Sequence, residues 1–326
     1  MDCANHAGVA RYPAIEPYDE GVLDVGDGHR VAWEVGGNPH GKPVVILHGG
    51  PGAGSGPGSR RWYDPARYRI VQFDQRNCGR STPHASEPTV DLSTNTTAHL
   101  IGDIEQLREH LDVEHWQVWG ASWGTELGLL YAEAHPERVT ELVLVCVVAS
   151  TRRNVEWITR SMGRVFPEAW ERFRDTVPAD ERDGDLAAAY AKLLHDPDPD
   201  VRERAAAAWC EWEDTHVATY AGHEHDPRYD DPRFRMCFAR LVTHYWSNGA
   251  FVDDGAVLRD AGRLAGIPGV MIHGRLDISG PPDVAWQLAK AWPDAELVLV
   301  DDAGHETGNP TMEAAILAAT DRFALG

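Results

Sequence analysis

Short apolar runs that alternate with amphipathic segments constrain the fold of this chain more than any other feature. Each run is rich in β-branched or other apolar residues and is bounded by Gly, Pro, Asp or Asn, a pattern typical of buried parallel strands. The predicted strands are Val44–His48, Arg69–Asp74, Trp116–Gly120, Leu142–Val148, Val270–Gly274 and Leu297–Val300.

Amphipathic segments between these runs predict crossover helices. Leu100, Ile104 and Leu107 share one face of a helix expected over residues 97–111. Further helices are predicted over Trp123–His135, Pro282–Trp292 and Met312–Phe323. Strand–helix alternation of this kind predicts an α/β fold with a mostly parallel, doubly wound sheet and a ligand crevice at the carboxyl ends of its strands. A hairpin from Val22–Val25 to Arg30–Val35 is expected to add antiparallel edge strands.

The middle of the chain has a different character. Residues 151–249 lack strand-like runs and are rich in Ala, Trp, Arg and Glu, so we expect a helical cap inserted between core segments 1–150 and 250–326. Within Pro167–Asp231 there are 18 acidic and 7 basic side chains. The predicted cap is therefore a strongly acidic lid.

Composition excludes several classes of protein. Of the 326 residues, 43% are hydrophobic and 25% are charged, as in folded globular domains. The formal net charge of −21 disfavours nucleic acid and anionic membranes as partners and favours small cationic molecules. The longest apolar run, Leu142–Ala149, is far shorter than the roughly 18–20 residues that span a bilayer.

Two further features bear on the compartment. Met1–His6 shows no basic region followed by an apolar stretch, so we expect a cytoplasmic protein without a secretory signal. The five cysteines are odd in number, widely spaced and free of a CxxC pair, which predicts reduced thiols rather than disulfides or a zinc site. The sequence leaves the oligomeric state open.

The segment Gly120-Ala121-Ser122-Trp123-Gly124 carries the strongest chemical signal. It follows a predicted strand and precedes a predicted helix, which is the context of a nucleophile elbow, where a serine at a tight turn projects above the sheet. Ser122 is the candidate nucleophile, and the backbone N–H of Trp123 is expected to face the developing oxyanion. The alternative is a chance motif in a chain with 31 glycines, which the strand and helix on either side disfavour.

A glycine-rich loop, His48-Gly49-Gly50-Pro51-Gly52-Ala53-Gly54, directly follows the strand run that ends at Leu47. We predict that the N–H of Gly50 completes the oxyanion hole and that its neighbour Gly49 belongs to the substrate-binding surface. A nucleotide-binding loop is the alternative, but no Gly-Lys-Ser/Thr is present and no Gly-x-Gly-x-x-Gly opens a clear helix.

A serine nucleophile needs a general base and an orienting carboxylate, in the chain order Ser, Asp, His for this architecture. Asp277 follows the run Val270–Gly274, and His305 follows Leu297–Val300. Both side chains are therefore expected at the same rim of the sheet as Ser122. We predict a catalytic triad of Ser122, Asp277 and His305.

Other residues compete for these roles. His48 and His273 are expected to support the site from the glycine loop and from a strand, and His244 is a third rival for the base. Asp301 and Asp302 lie too close to His305 in sequence to come from the preceding strand end.

In these motifs the chain resembles the proline iminopeptidases (prolyl aminopeptidases), which are serine peptidases of the α/β-hydrolase fold. The resemblance extends over nearly the whole chain, from about Ile15 to Leu325. It rests on His48-Gly49-Gly50-Pro51-Gly52, Phe73-Asp74-Gln75-Arg76-Asn77-Cys78-Gly79-Arg80-Ser81, Gly120–Gly124, Trp209–Glu213, His244-Tyr245 with Asn248-Gly249, His273–Asp277 and Ala303-Gly304-His305.

The resemblance implies release of an N-terminal proline from short peptides, with no metal or other cofactor. It also implies that cap carboxylates hold the free imino group, and Glu213 matches one of them. Where the family has a second glutamate before its His-Tyr pair, this chain has Val242. It also has Asn77 in place of a usual glycine, and altered neighbours of the aspartate in Leu276–Pro281.

Two other functions remain open at this point. Because Val242 removes an expected amine-binding group, the same scaffold is compatible with a hydrolase or acyl-transfer enzyme for an ester, amide or other acyl substrate. A catalytically silent binding protein is the second alternative, disfavoured by the joint presence of a triad and both oxyanion elements. In each case the expected partner is a small molecule or short peptide.

Overall fold

The computed structural model describes residues 11–217 and 225–324. The expectation about a secretory signal refers to Met1–His6, and that about reduced thiols includes Cys3. Both lie outside the described residues. The described strands are β1 (Asp19–Gly26), β2 (His29–Gly37), β3 (Lys42–Leu47), β4 (Tyr68–Phe73), β5 (Trp116–Ala121), β6 (Val139–Val145), β7 (Gly269–Gly274) and β8 (Ala295–Val300). The described α-helices are α1 (Thr97–His110), α2 (Trp123–Ala134), α3 (Arg152–Thr159), α4 (Pro167–Asp175), α5 (Leu186–Leu193), α6 (Pro199–Val217), α7 (Pro232–Ser247), α8 (Ala256–Asp260), α9 (Asp283–Ala291) and α10 (Pro310–Phe323).

All eight strands join one sheet in the order β1-β2-β4-β3-β5-β6-β7-β8. The two pairings that involve β2 are antiparallel, and the pairings from β4 to β8 are parallel. From β3 the chain moves first to β4 on one side and then to β5 on the other. This reversal is a topological switch point, where the carboxyl ends of neighbouring strands open a crevice.

Helices cover both faces of the sheet, as the mainly parallel pairing requires. On one face, apolar side chains of α1, α2, α8 and α9 pack in a single buried cluster against the strands. On the other face, α10 packs with the short 3₁₀ segment Pro57–Trp62. Both faces of the central strands are thereby removed from water.

Between β6 and β7 every described element is helical. The helices α4, α5, α6 and α7 have an apolar cluster of their own, in which the rings of Phe173 and Tyr190 stack at a centroid distance of 4.6 Å. Trp209 packs edge-on against both rings. These helices therefore have a core that is separate from the clusters on the sheet.

The sequence placed most elements within one to three residues of their observed ends. The predicted strand Leu142–Val148 is wrong at its end, because β6 stops at Val145 and Cys146 has a φ of 55°, which extended backbone does not allow. The hairpin is longer than expected on both arms, and its register shifts between Asp24 and Gly26.

The described residues bear on the expectations about membrane spans and about the cysteines. None of their helices combines the length and apolar character that a membrane-spanning segment requires. Cys78, Cys146, Cys210 and Cys237 are buried free thiols.

Arg240 connects α7 to the loop between β4 and α1. Its guanidinium is fully buried and donates to the backbone oxygens of Ala85 and Glu87, both at 2.6 Å, and of Val90 at 2.9 Å. These three acceptors lie in the loop between β4 and α1. One side chain thus satisfies three backbone carbonyls of this loop.

We predict that Arg240→Ala lowers the free energy of unfolding by about 2–4 kcal/mol, because it leaves buried carbonyl groups without donors. The measurement is urea unfolding followed by tryptophan fluorescence. Arg233→Ala, at an exposed position on the same helix, is the matched control and is expected to change stability by less than about 0.5 kcal/mol. Equal stability of both variants would contradict this role of Arg240.

Candidate active site

Ser122 lies in the sharp turn between β5 and α2. Its φ of 53° and ψ of −125° are strained for a residue with a side chain, and its N–H donates to the oxygen of Val145 at 3.0 Å. A Cβ atom on Gly120 would collide with the oxygen of Gly124, and one on Gly124 would collide with the oxygen of Leu47. Both glycines are therefore required by the close approach of backbone to backbone.

Ser122, His305 and Asp277 form a continuous hydrogen-bonded chain. His305 Nε2 lies 3.0 Å from Ser122 Oγ, and His305 Nδ1 lies 2.7 Å from Asp277 Oδ2. The other carboxylate oxygen of Asp277 accepts the N–H of Gly280 at 2.7 Å. The three predicted triad residues are thus brought together from the ends of β5, β7 and β8.

Burial and mutual contact shift the pKa values of His305 and Asp277. Burial alone would lower the pKa of His305, but the charge of Asp277 and its hydrogen bond outweigh burial and raise that pKa above 6.5. For Asp277, burial acts to raise the pKa, and the nearby imidazole of His305 outweighs it, so the pKa is lowered. The aspartate is held ionised while the imidazole is made more basic.

The rival histidines all have other partners. His273 Nδ1 accepts the N–H of Val147 at 3.0 Å, and its Nε2 donates to the oxygen of Gly280 at 2.8 Å. His244 Nε2 donates to the oxygen of Asn95 at 2.9 Å. These contacts support loops around the site and leave His305 as the histidine that meets Ser122 Oγ.

The glycine loop lies directly against the elbow. A Cβ atom on Gly49 would lie 3.1 Å from the oxygen of Ala121 and 3.3 Å from Ser122 Cβ. Gly50, with φ of 117°, lines the same pocket as Ser122 and Trp123. The two predicted oxyanion residues, Gly50 and Trp123, therefore line the same pocket as Ser122.

Gln75 connects the two oxyanion elements, a role that sequence reasoning missed. Its side-chain amide donates to the oxygen of His48 at 3.0 Å and accepts the indole N–H of Trp123 at 3.0 Å. Its backbone N–H donates to His48 Nε2, also at 3.0 Å. The sequence signal was its place in the Phe73–Ser81 motif.

Asn77 is accommodated by its loop. It adopts a left-handed φ of 67°, a region that asparagine tolerates better than most residues. Its side chain donates to the oxygen of Pro83 at 2.8 Å and accepts from the amide of Asn95 at 2.9 Å. Loss of glycine at this position is therefore compatible with the turn.

Glu213 opens into the nucleophile's pocket from α6. It shares that pocket with Ser122 and His305, and its negative charge acts to raise the pKa of His305. Its side chain is 17% exposed. The sequence-predicted cap carboxylate is thus close to the reacting serine, and partial burial strengthens its pull on a cation.

Val242 is not among the described residues that line this pocket. It is 1% exposed and packs in the apolar cluster of the inserted helices. Its side chain offers no polar atom to a substrate. The residue that sequence reasoning missed in the pocket is His216, which follows Glu213 by three positions on α6 and so shares its face.

One cluster of metal-ligand side chains occurs among residues 11–217 and 225–324, and it consists of Cys146, Asp277 and His305. His305 and Asp277 are hydrogen-bonded to each other. Burial raises the pKa of the Cys146 thiol, which disfavours the thiolate that a metal needs. The arrangement therefore suits proton transfer rather than metal ligation.

Comparison with known proteins agrees with this geometry. A family model for the α/β-hydrolase fold matches residues 42–308. A probable proline iminopeptidase of Streptomyces coelicolor is 56% identical over 319 residues, which cover 97% of this chain and 98% of that protein. The chain belongs to the proline iminopeptidase family of α/β-hydrolases. The resemblance expected from the motifs is confirmed, and the protein is a serine hydrolase.

Another curated relative and two solved structures are also similar over nearly the whole chain. A proline iminopeptidase of Xylella fastidiosa is 46% identical over 96% of this chain and 98% of its own length. Among solved structures, VinJ has a TM-score of 0.64 at 19% identity, covering 94% of this chain and 98% of its own. A proline iminopeptidase of Mycobacterium smegmatis has a TM-score of 0.60 at 20% identity, covering 94% and 99%. At these identities the structures support the fold.

The raised pKa of His305 predicts the pH dependence of hydrolysis. Because the protonated imidazolium cannot accept a proton from Ser122, kcat/KM is expected to fall as pH decreases through a midpoint above 6.5. Asp277→Asn removes the charge that raises this pKa, so the midpoint moves to lower pH and kcat drops by about 10⁴-fold. The measurement is kcat/KM of a p-nitrophenyl ester against pH. An unmoved midpoint in Asp277→Asn would exclude Asp277 as the cause.

Proposed function

We propose that this protein releases N-terminal proline from short peptides, with Ser122 as the nucleophile, His305 as the general base and acid, and Asp277 as the orienting carboxylate. One observation carries the proposal: the carboxylate of Glu213 opens into the pocket where Ser122 Oγ meets His305 Nε2. A free N-terminal amine is a cation adjacent to the scissile carbonyl, so a substrate bound by Glu213 presents that carbonyl to the serine. The names of the relatives support the same substrate class.

The first half of the reaction forms an acyl-enzyme. Ser122 Oγ attacks the proline carbonyl carbon as His305 Nε2 takes the hydroxyl proton, and the carbonyl oxygen becomes an oxyanion. The backbone N–H groups of Trp123 and Gly50 are assigned to that oxyanion. When the intermediate collapses, the C–N bond breaks and His305 returns the proton to the leaving amine.

In the second half, His305 removes a proton from water, which attacks the prolyl ester carbon. The C–O bond to Ser122 then breaks, and His305 protonates the serine. Asp277 keeps Nδ1 of His305 protonated throughout, so Nε2 stays the atom that exchanges protons. Gly49 is assigned to the substrate surface because it lies against Ser122.

The division of the chain follows these roles. We propose that segments 1–150 and 250–326 form the catalytic core and that 151–249 form the cap that binds the amine. Support comes from the separate apolar cluster of α4–α7 and from the position of Glu213 on α6. A small or short-peptide substrate and a cytoplasmic location stay predictions.

The substrate proposal predicts a strong preference for a free amine. We expect kcat/KM for proline p-nitroanilide to exceed that for N-acetylproline p-nitroanilide by about 100-fold or more. Acetylation removes a charge-assisted hydrogen bond and adds an acetyl group that the pocket must accommodate. Ser122→Ala is expected to lower turnover by at least about a thousandfold. Initial rates at 405 nm measure all three.

A p-nitrophenyl ester serves as the reference substrate in the same experiment. If the ester alone is hydrolysed, the triad works but the protein acts on acyl substrates without an amine, which is the alternative that Val242 left open. If Ser122→Ala retains full activity, the assignment of the nucleophile is wrong.

Neutralising Glu213 tests how the amine is bound. Glu213→Gln is expected to lower the ratio of proline anilide to ester kcat/KM by about 10- to 100-fold, because it removes a partly buried charge opposite an ammonium. Glu211→Gln is the matched control: Glu211 is on the same helix, pairs with Arg172 and is 60% exposed, so the ratio is expected to stay the same. Equal ratios in both variants would remove Glu213 from the site.

A further inference from the structure

We infer that the Nε2 atom of His216 is a second acceptor for the substrate's N-terminal ammonium, beside the carboxylate of Glu213. The inference rests on the proposed function, since it concerns how a proline amine is held. It assigns to His216 the role of a second acceptor, a role for which Val242 has no polar atom.

The chemistry of the substrate sets the requirement. The ammonium of an N-terminal proline is secondary and carries two N–H bonds, and a donor that is buried without an acceptor weakens binding. Glu213 offers an acceptor to one of these bonds. Val242 offers none and is enclosed in the apolar cluster of the inserted helices. A second acceptor beside Glu213 gives each of the two diverging N–H bonds an acceptor of its own.

His216 is placed to be that acceptor. It lines the pocket that contains Ser122 and Glu213, and it is 1% exposed. Its Nε2 lies 3.3 Å from Glu213 Oε2. This contact is an ion pair only if the ring is protonated, and Nε2 makes no hydrogen bond within the described part of the chain. A buried ring nitrogen without a partner beside a carboxylate is an incomplete polar site.

Ser279 fixes which ring nitrogen carries the proton. Its hydroxyl donates to the backbone oxygen of His216 at 2.9 Å, and its Oγ lies 2.8 Å from His216 Nδ1. A hydroxyl has one proton, and a carbonyl oxygen only accepts, so Nδ1–H must be the donor in the second contact. In the neutral ring Nε2 then carries a lone pair. The loop after β7 thus presents His216 as an acceptor.

Glu213 Oε2 and His216 Nε2 lie 3.3 Å apart, so one cation can lie against both when the ring is neutral. An ammonium supplies that cation and directs one N–H to Glu213 and the other to Nε2. The charges also balance, because one carboxylate and one neutral nitrogen face one positive charge. A second carboxylate would leave a net negative charge in a partly buried pocket.

The test replaces His216 with two amides that imitate different ring nitrogens. The side chain of Asn reaches the place of Nδ1 only, whereas that of Gln reaches the place of Nε2. We expect His216→Asn to lower the ratio of proline anilide to ester kcat/KM by about tenfold or more, mainly through KM, because an acceptor used in ground and transition states is lost. His216→Gln is expected to recover part of this ratio.

The controls separate recognition from structure. His40→Asn changes an exposed histidine far from the pocket and is expected to keep the ratio. Ester hydrolysis in the same preparations reports an intact triad. A misfolded variant is identified by loss of both anilide and ester hydrolysis. If His216→Asn misfolds, His216→Gln is compared with the wild-type protein instead. An unchanged ratio in His216→Asn, or equal losses in the Asn and Gln variants, would overturn the inference.

The two proposals fail in different ways. If the wild-type protein shows no preference for a free proline amine over its acetylated form, the proposed function itself fails. If the wild-type preference is strong and His216→Asn retains it, only the role of His216 fails. Pyrrolidinium inhibition of ester hydrolysis gives an independent reading, with an inhibition constant about tenfold higher in His216→Asn.

Discussion

The close approach of backbone at the nucleophile turn is the constraint on which the rest of the site depends. Gly124 lies so near the oxygen of Leu47 that a Cβ atom there would collide with it, and Gly120 is in the same situation with Gly124. This contact joins the ends of β3 and β5, the two strands at which the sheet reverses its order. It holds Ser122 in a strained conformation and brings the glycine loop against it.

Electrostatic arrangement follows from that geometry. The carboxylate of Asp277 is fully buried and hydrogen-bonded to His305, whereas that of Glu213 is partly exposed and lines the pocket. The two carboxylates therefore fit the different roles proposed for them, Asp277 beside the base and Glu213 beside the substrate's amine. The partly buried position of Glu213 suits a cation that enters from water and is released again, since full burial of a charge carries a large desolvation cost.

Sequence reasoning succeeded where local patterns decide structure. The strand runs and the amphipathic face of α1 follow from periodicity, and the order of Ser122, Asp277 and His305 follows from the strands that precede them. It failed at the end of β6, where Cys146 leaves the strand although its apolar neighbours continue the pattern. Apolar character predicts burial, and Val147 is indeed buried, but burial does not require extended backbone.

The sequence by itself determined the fold class and named the candidates for the reacting groups, because hydrophobic periodicity and glycine spacing act over a few residues. Only the tertiary structure decided which side chains meet across long separations. Gln75 bridges His48 and Trp123, and the hydroxyl of Ser279 lies 2.8 Å from His216 Nδ1, although no local pattern links these residues. The physical reason is that hydrogen bonds have narrow limits of distance and direction, and packing of distant elements alone sets those limits.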